Sequence, residues 1–159
     1  VLQVLRRGRV HLRGNTVQDD EQPMRLLPEL TPETTPFWSG GAEGKLLITR
    51  CQACGHWIHP PQPICPVCLS RDVKPEAVSG DAEVHSFTIN YHPFLPNVKL
   101  PFAIAIVEFP EQAGMRMTTN IVGYAPEDVF IGMKVHVEFL QQDDVWLPLF
   151  RPVDSLQAE

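Results

Sequence analysis

Long apolar runs are missing from this sequence: the longest wholly apolar stretch is Phe102 to Val107, against the roughly 20 residues that a membrane-crossing helix needs. Residues 1–13 lack the apolar segment of a secretory signal, so the chain reads as soluble, unexported and cytoplasmic. Basic side chains are also scarce beyond the first thirteen positions. Arg6, Arg7, Arg9 and Arg13 stand there with no acid among them, which leaves 9 basic against 19 acidic side chains over residues 14–159. A body that acidic repels a phosphate backbone, whereas a nucleic-acid reader displays a basic face. No G-x-S-x-G elbow, H-E-x-x-H helix or phosphate-cradling Gly-rich loop is present, so the mechanisms that depend on them have no foothold. Cysteine occurs only four times, all within residues 51–68.

Proline, in contrast, is abundant at 16 residues, while 43% apolar and 20% charged content is ordinary for a globular domain. Prolines break helices and favour short strands joined by stiff loops. A chain of 159 residues fits one core with a small satellite. Residues 1–30 show no sustained periodicity and read as a poorly ordered leader. Its arginines suit a solvated tail, with a nucleic-acid arm or a short organelle transit segment as alternatives. Val1 is not an initiator and Met24 is the first Met, which leaves open whether residues 1–23 belong to the native protein.

From Thr31 the signals sharpen. Thr35 is placed to cap a helix that starts at Pro36, runs through Phe37 and Trp38, and stops at Gly44. Gly40 and Gly41 weaken that helix, so Phe37 and Trp38 need a surface, either the chain's own core or a partner's groove. Lys45 to Arg50 should be a strand entering the cysteines. Five further strands follow: Val84 to Tyr91, with His85, Phe87, Ile89 and Tyr91 on one face; Phe102 to Phe109, apolar on both faces as a doubly covered strand would be; Met115 to Val122; Met133 to Leu140; and Val145 to Phe150, which Pro148 demotes to an edge. His92 to Pro101 is a proline-rich loop with apolar tips. Five curved strands close most easily as an OB-type barrel, a small sandwich being the alternative. The divisions are a leader (1–30), a helical docking segment (31–45), a ribbon (46–75), a barrel (76–153) and a tail (154–159).

The cysteines form two C-x2-C knuckles, Cys51 with Cys54 and Cys65 with Cys68. Two intervening residues let each pair curl around one ion, and Gly55 permits the turn that aims amides back at sulfur. Four thiolates complete a tetrahedron without an open position, so one structural zinc is expected, with a rubredoxin-like iron or two disulfides as competing readings. Committed to metal, none of the four remains as a nucleophile. His56 and His59 lie near the first knuckle but are surplus to a four-sulfur site. Glu108, His85 and His136 read as ordinary strand residues, although burial of Glu108 would make it a functional candidate.

Taken in order, Pro36-Phe37-Trp38, Gly44-Lys45-Leu46, Cys51-x-x-Cys54-Gly55, Pro60-Pro61, Cys65-Pro66-x-Cys68, Pro101-Phe102-Ala103 through Val107-Glu108, Ile131-Gly132-Met133-x-Val135 and Leu147-Pro148-x-Phe150-Arg151-Pro152 resemble the DUF35 family over about residues 31–152. The resemblance implies a helical segment, a rubredoxin-like zinc ribbon and an OB-fold, mainly β overall. It also implies a non-catalytic accessory subunit of a thiolase-like enzyme acting on acyl-CoA, in fatty-acid, steroid, aromatic or isoprenoid-precursor metabolism. On that basis Phe37 and Trp38 become partner-docking anchors, and Phe94, Leu95 and Phe102 become the apolar wall of an acyl-CoA channel. No hotdog-type domain is recognisable, which argues against a self-contained hydratase. The rival is a module for single-stranded nucleic acid, since OB barrels and zinc ribbons both serve that role; an iron-based electron carrier is a further one.

Overall fold

The computed structural model describes residues 25–94 and 98–153. Most of the expected leader, and the tail from residue 154, lie outside that range. Among the described residues the helical segment opens on a turn in which the Thr31 and Thr34 hydroxyls and amides bind one another, Thr31 N–H to Thr34 Oγ1 at 3.0 Å and Thr34 N–H to Thr31 Oγ1 at 3.3 Å. Helix α1 follows at Thr35–Ser39, with Pro36 in its first turn. Thr34, not Thr35, holds the N-cap position, and it makes no side-chain cap bond: its hydroxyl meets the Thr31 N–H, and the Thr35 hydroxyl the Thr31 carbonyl at 2.6 Å. A 3₁₀ turn, Gly40–Glu43, continues the coil until Gly44 ends it at φ 68°, a left-handed conformation that glycine adopts without steric penalty.

Three antiparallel strands make the ribbon sheet: β1 (Leu47–Cys51), β2 (Trp57–Ile58) and β3 (Val73–Ala77), in the order β2-β1-β3. Sequence periodicity points to β1 alone. The others are too short, or in β3 too polar and interrupted by Pro75, to carry an alternation.

The remaining strands, β4 (Asp81–Asn90), β5 (Phe102–Glu108), β6 (Arg116–Ile121), β7 (Lys134–Gln142) and β8 (Val145–Pro152), close as a barrel in the order β4-β5-β6-β8-β7, with β7 returning to β4. The architecture is therefore mainly β: one short helix, a small ribbon and a five-stranded OB-type barrel. Alternation on β6 is as expected, with Met117, Thr119 and Ile121 buried between the outward Arg116, Thr118 and Asn120. Phe109 and Phe150 meet edge to face across the interior at 6.1 Å. Leu46, Ile48 and Phe37 extend the same core under the ribbon.

Three expectations are corrected. On β4 the register with β5 slips between Val84 and Ser86, so buried Val84 and inward Phe87 share a side and His85 is left exposed. A bulge adds one residue to a strand and resets its alternation. β5 is covered on one face only: Ala103, Ala105 and Val107 are fully buried, whereas Ile106 is 38% exposed and Phe102 and Ile104 are half-buried. The barrel places its small alanines inward and leaves an apolar outer stripe. Finally, β8 is not an edge, because the barrel closes. It pairs along its length with β7 but with β6 only at Ile121 opposite Phe150. The Pro148 carbonyl is met by the Thr119 hydroxyl of β6 at 2.9 Å, while the missing proline N–H is not needed on the side where β6 makes no regular ladder.

The helical segment is seated by close backbone approach. A methyl group added at Gly41 would lie 2.5 Å from Trp146 Cβ and 2.6 Å from Phe139 Cδ1. Overpacking of this kind costs about 1–3 kcal/mol. Gly41→Ala is expected to lower the unfolding free energy by that amount in a denaturant titration, without reducing zinc content.

Candidate metal centre

Each knuckle is built by the same backbone device. In the first, Cys51 ends β1, its N–H donates to the His56 carbonyl at 2.9 Å, and Gly55 at φ 77° returns its own N–H to the Cys51 carbonyl at 2.9 Å. In the second, Cys65 N–H donates to the Ser70 carbonyl at 2.9 Å and Leu69 N–H to the Cys65 carbonyl at 3.0 Å. Leu69 occupies the place of Gly55 and takes the same left-handed conformation, φ 59°. A branched residue there is strained by about 1–2 kcal/mol, and its side chain is 74% exposed.

The two loops bring all four sulfurs within 4.8 Å of one another. The shortest separations cross between knuckles, Cys51 to Cys68 at 3.5 Å and Cys54 to Cys65 at 3.6 Å. A tetrahedron of thiolates about 2.3 Å from zinc has edges near 3.8 Å, so the cluster is of the right size for one ion. No disulfide joins the cysteines. Backbone amides of Cys54 and Ala53 lower the Cys51 thiol to about 6. Cys54 receives the His56 amide, yet the sulfurs of Cys68, Cys65 and Cys51, with burial, push it up to about 12. The Cys51 thiolate is thus favoured while Cys54 and Cys68 are penalised by the crowding of sulfurs, the situation a divalent cation resolves. Once bound, zinc has no open coordination position among four sulfurs, and its contribution is to crosslink the fold.

Neither nearby histidine belongs to the cluster. The half-buried His59 leans on Phe37 with ring centroids 5.1 Å apart, and burial lowers its pKa and keeps it neutral. Arg50 braces the first knuckle, donating to the Gly55 carbonyl at 3.1 Å and to Glu76 at 3.0 Å while lying 5.0 Å over the Trp57 ring.

The other candidates are scattered. Phe37 is buried in the chain's own core, with Trp38 half-buried against it at 4.7 Å, edge to face. Phe94 is 72% exposed beside His92. Phe102 is half-buried opposite Asn90, and Leu95 lies outside the described residues. Glu108 is not a buried catalytic acid. It accepts the Gly114 N–H at 3.1 Å and Arg116 Nε at 2.6 Å, with His85 at 3.7 Å, and these partners hold its carboxyl below the usual range. His136 pairs with Asp81 at 2.7 Å. Phe130, Ile131, Val67 and Leu69 form exposed apolar groups that periodicity does not single out, and Tyr91, expected on the face of a strand, is exposed just beyond the end of β4. The Phe130-Ile131 pair, apolar on both faces of a non-strand segment, is the signal that could have found two of them.

The family model described as "ChsH2, rubredoxin-like zinc ribbon domain" matches residues 38–74, and "ChsH2, C-terminal OB-fold domain" matches residues 75–140. The chain belongs to the ChsH2/DUF35 family. Among curated relatives, a "DUF35 domain-containing scaffold protein" of Methanocaldococcus jannaschii is 36% identical over 59% of this chain and 67% of its own length. A "probable enoyl-CoA hydratase alpha subunit" of Thermomonospora curvata is 38% identical over 86% of this chain, and a "3-oxo-4,17-pregnadiene-20-carboxyl-CoA hydratase alpha subunit" of Mycobacterium tuberculosis is 33% identical over 87%. The chain spans 43% and 44% of those two proteins. A solved structure described as an "Ltp2-ChsH2(DUF35) aldolase" superposes with a TM-score of 0.72 at 35% identity, over 79% of this chain and 98% of that one. In this DUF35 chain the ribbon named by the family and the four convergent sulfurs agree on one zinc.

Metal binding requires thiolates, so affinity should rise with pH. Below about 6 even Cys51 is protonated in the metal-free cluster, and zinc affinity measured by chelator competition should fall there by more than tenfold per pH unit as several protons compete for one ion. Colourless protein with about one zinc per chain is expected, and Cys65→Ala should reduce that content to near zero by elemental analysis.

Proposed function

We propose that this chain is a non-catalytic subunit that docks on a thiolase-like enzyme acting on acyl-CoA, with its barrel loops helping to wall the acyl-CoA channel. The observation that carries this reading is the superposition on nearly the whole length of the DUF35 chain of an aldolase assembly. The names of the archaeal relatives, scaffold proteins, point the same way. The hydratase names belong to proteins more than twice as long as the matched segment, so that activity is not assigned here.

Residue chemistry supports an accessory role. The four cysteines are committed to metal, while Glu108 is held by Arg116 and His136 lies against Asp81 at the surface. Phe94 and Phe102 offer apolar contact at the loop end of the barrel, which an acyl or pantetheine chain requires. Because Phe37 is buried, Trp38 keeps the docking role and Phe37 seats it. The pregnadiene-carboxyl-CoA named for the mycobacterial relative makes a steroid acyl-CoA the first substrate class to test. We assign the complex to the cytoplasm; no helix among the described residues is long and apolar enough to cross a membrane.

The test is co-expression with a thiolase-like protein encoded beside this chain. A stable complex in size-exclusion chromatography, with retro-aldol or condensing activity on acyl-CoA that neither chain shows alone, is expected. Elution of the chain by itself at micromolar concentrations of both, turnover by the isolated chain, or salt-sensitive binding to a single-stranded oligonucleotide would each overturn the proposal.

A further inference from the structure

The ribbon has its own small core. Cys51, Ile58 and Cys65 are buried together with Val73 against them, a cluster separate from the barrel core, which reaches the ribbon at Leu46 and Ile48 and at the half-buried Trp57 of β2. A cleft of about 300 Å³ lies between the metal end of the ribbon and the barrel, lined by residues such as His56, Pro66, Gln112 and Met115. The apolar cluster at the metal end is thus not continuous with the barrel core, and the ribbon meets the rest of the chain through Trp57 and through His59 on Phe37.

A polar tie is visible at the ribbon's edge strand. In the order β2-β1-β3, the outer side of β2 has no neighbouring strand. Cys51 N–H bonds the His56 carbonyl, and the next pair along is Arg50 opposite Trp57. By the alternation of antiparallel pairing, the Trp57 N–H and C=O then point away from β1. Both are met by the side-chain amide of Gln112: Trp57 N–H donates to Oε1 at 2.8 Å, and Nε2 donates to the Trp57 carbonyl at 3.2 Å. One glutamine thus supplies the two bonds that a further strand would make.

Gln112 is itself held stiffly. Between β5 and β6, Phe109 N–H bonds the Met115 carbonyl and Met115 N–H the Gln112 carbonyl, both at 3.0 Å. Glu108 receives the Gly114 amide and the Arg116 guanidinium. The neighbouring Glu111 accepts the Ser79 N–H at 2.7 Å, in the linker from β3 to β4. A single hairpin of the barrel therefore grips both the ribbon and the linker that joins ribbon to barrel.

We infer that the β5–β6 connection is the joint that fixes the metal end of the ribbon against the barrel, with Gln112 as its positioning residue. The consequence for assembly rests on the docking reading above. Val67 and Leu69 expose apolar surface on the ribbon, and Phe94 does so on the barrel. Two contacts on separately cored bodies bind one partner tightly only if their relative orientation is set beforehand, since otherwise association must also order the joint.

The experiment uses the full zinc-loaded chain with Gln112→Met, which keeps the side chain's length and removes both bonds, and Gln112→Glu, which keeps only the acceptor for Trp57 N–H. In Gln112→Met, Trp57 amide exchange should be on the order of 10-fold faster. Residual dipolar couplings of ribbon and barrel should no longer fit one orientation, with zinc content unchanged and Gln112→Glu intermediate. Unchanged Trp57 exchange or couplings that still fit one orientation would overturn the joint. Loss of zinc would do so as well, by making Gln112 part of the ribbon's own fold. These readouts need no partner and survive failure of the docking reading. With a partner in hand, the Met variant should bind about 10-fold more weakly; equal affinity would remove the role in assembly while leaving the joint in place.

Discussion

Four sulfurs drawn within 4.8 Å are the constraint on which the ribbon depends. Without a cation they are a crowding of would-be anions, with one thiol lowered to about 6 and a neighbour pushed up to about 12. With a divalent ion the same crowding becomes a crosslink between two loops that otherwise share only a three-residue apolar core and Val73. Structural zinc is worth on the order of 10 kcal/mol of folding free energy in small peptides, more than so small a core can supply. The backbone is shaped for this end: both knuckles return an amide to the first cysteine's carbonyl through a left-handed residue, and in the second that residue is a leucine. Tolerating such strain in an exposed side chain is consistent with Leu69 being kept for what it presents to the outside.

The barrel solves a different problem. Closing β7 onto β4 leaves no strand of the barrel without a neighbour on each side, and the exposed large apolar groups among its described residues lie in loops and on one outer stripe. That stripe, Phe102, Ile104 and Ile106, follows from the small inward alanines of β5. With Phe109 and Phe150 filling the interior from other positions, β5 needs little volume inside and carries its larger side chains outward. Half-buried apolar residues on a strand whose inner face is already satisfied are surface available for recognition.

Legibility in the sequence tracked the range of the interactions involved. The metal site was legible because its ligands lie within eighteen residues and spacing alone determines how each pair curls. β6 was legible because one face is buried and the other wet; on β7 Val135 is buried and Val137 and Phe139 pack half-buried against the core, enough to show the alternation. Failures came where a distant contact overrode local pattern. The bulge at His85 depends on pairing with β5, the interior place of Pro148 on closure of β8 against β6, and the seating of Gly41 on Phe139 and Trp146. β2 and β3 are paired on β1, and neither two residues nor five that include Lys74, Pro75 and Glu76 carry a pattern that predicts extension on its own. Gln112 left no trace in the pattern, since a polar residue in a hairpin is the commonest thing such a connection contains.

Glu108 joins these levels. As the one carboxylate on an apolar strand it was a candidate for a raised pKa and a chemical role. Instead Gly114 and Arg116 lower it, and its two oxygens brace the turn that carries Gln112. A depressed carboxyl contributes stability above its ordinary pKa and loses that contribution as acid protonates it. Acid therefore acts on this molecule twice, through protons competing for the thiolates and through the brace on the hairpin. The two effects fall on opposite sides of the same contact between Trp57 and Gln112, the metal shaping the ribbon that presents one partner and the brace shaping the turn that presents the other. An ion that performs no reaction can in this way govern the geometry of a surface some distance from it.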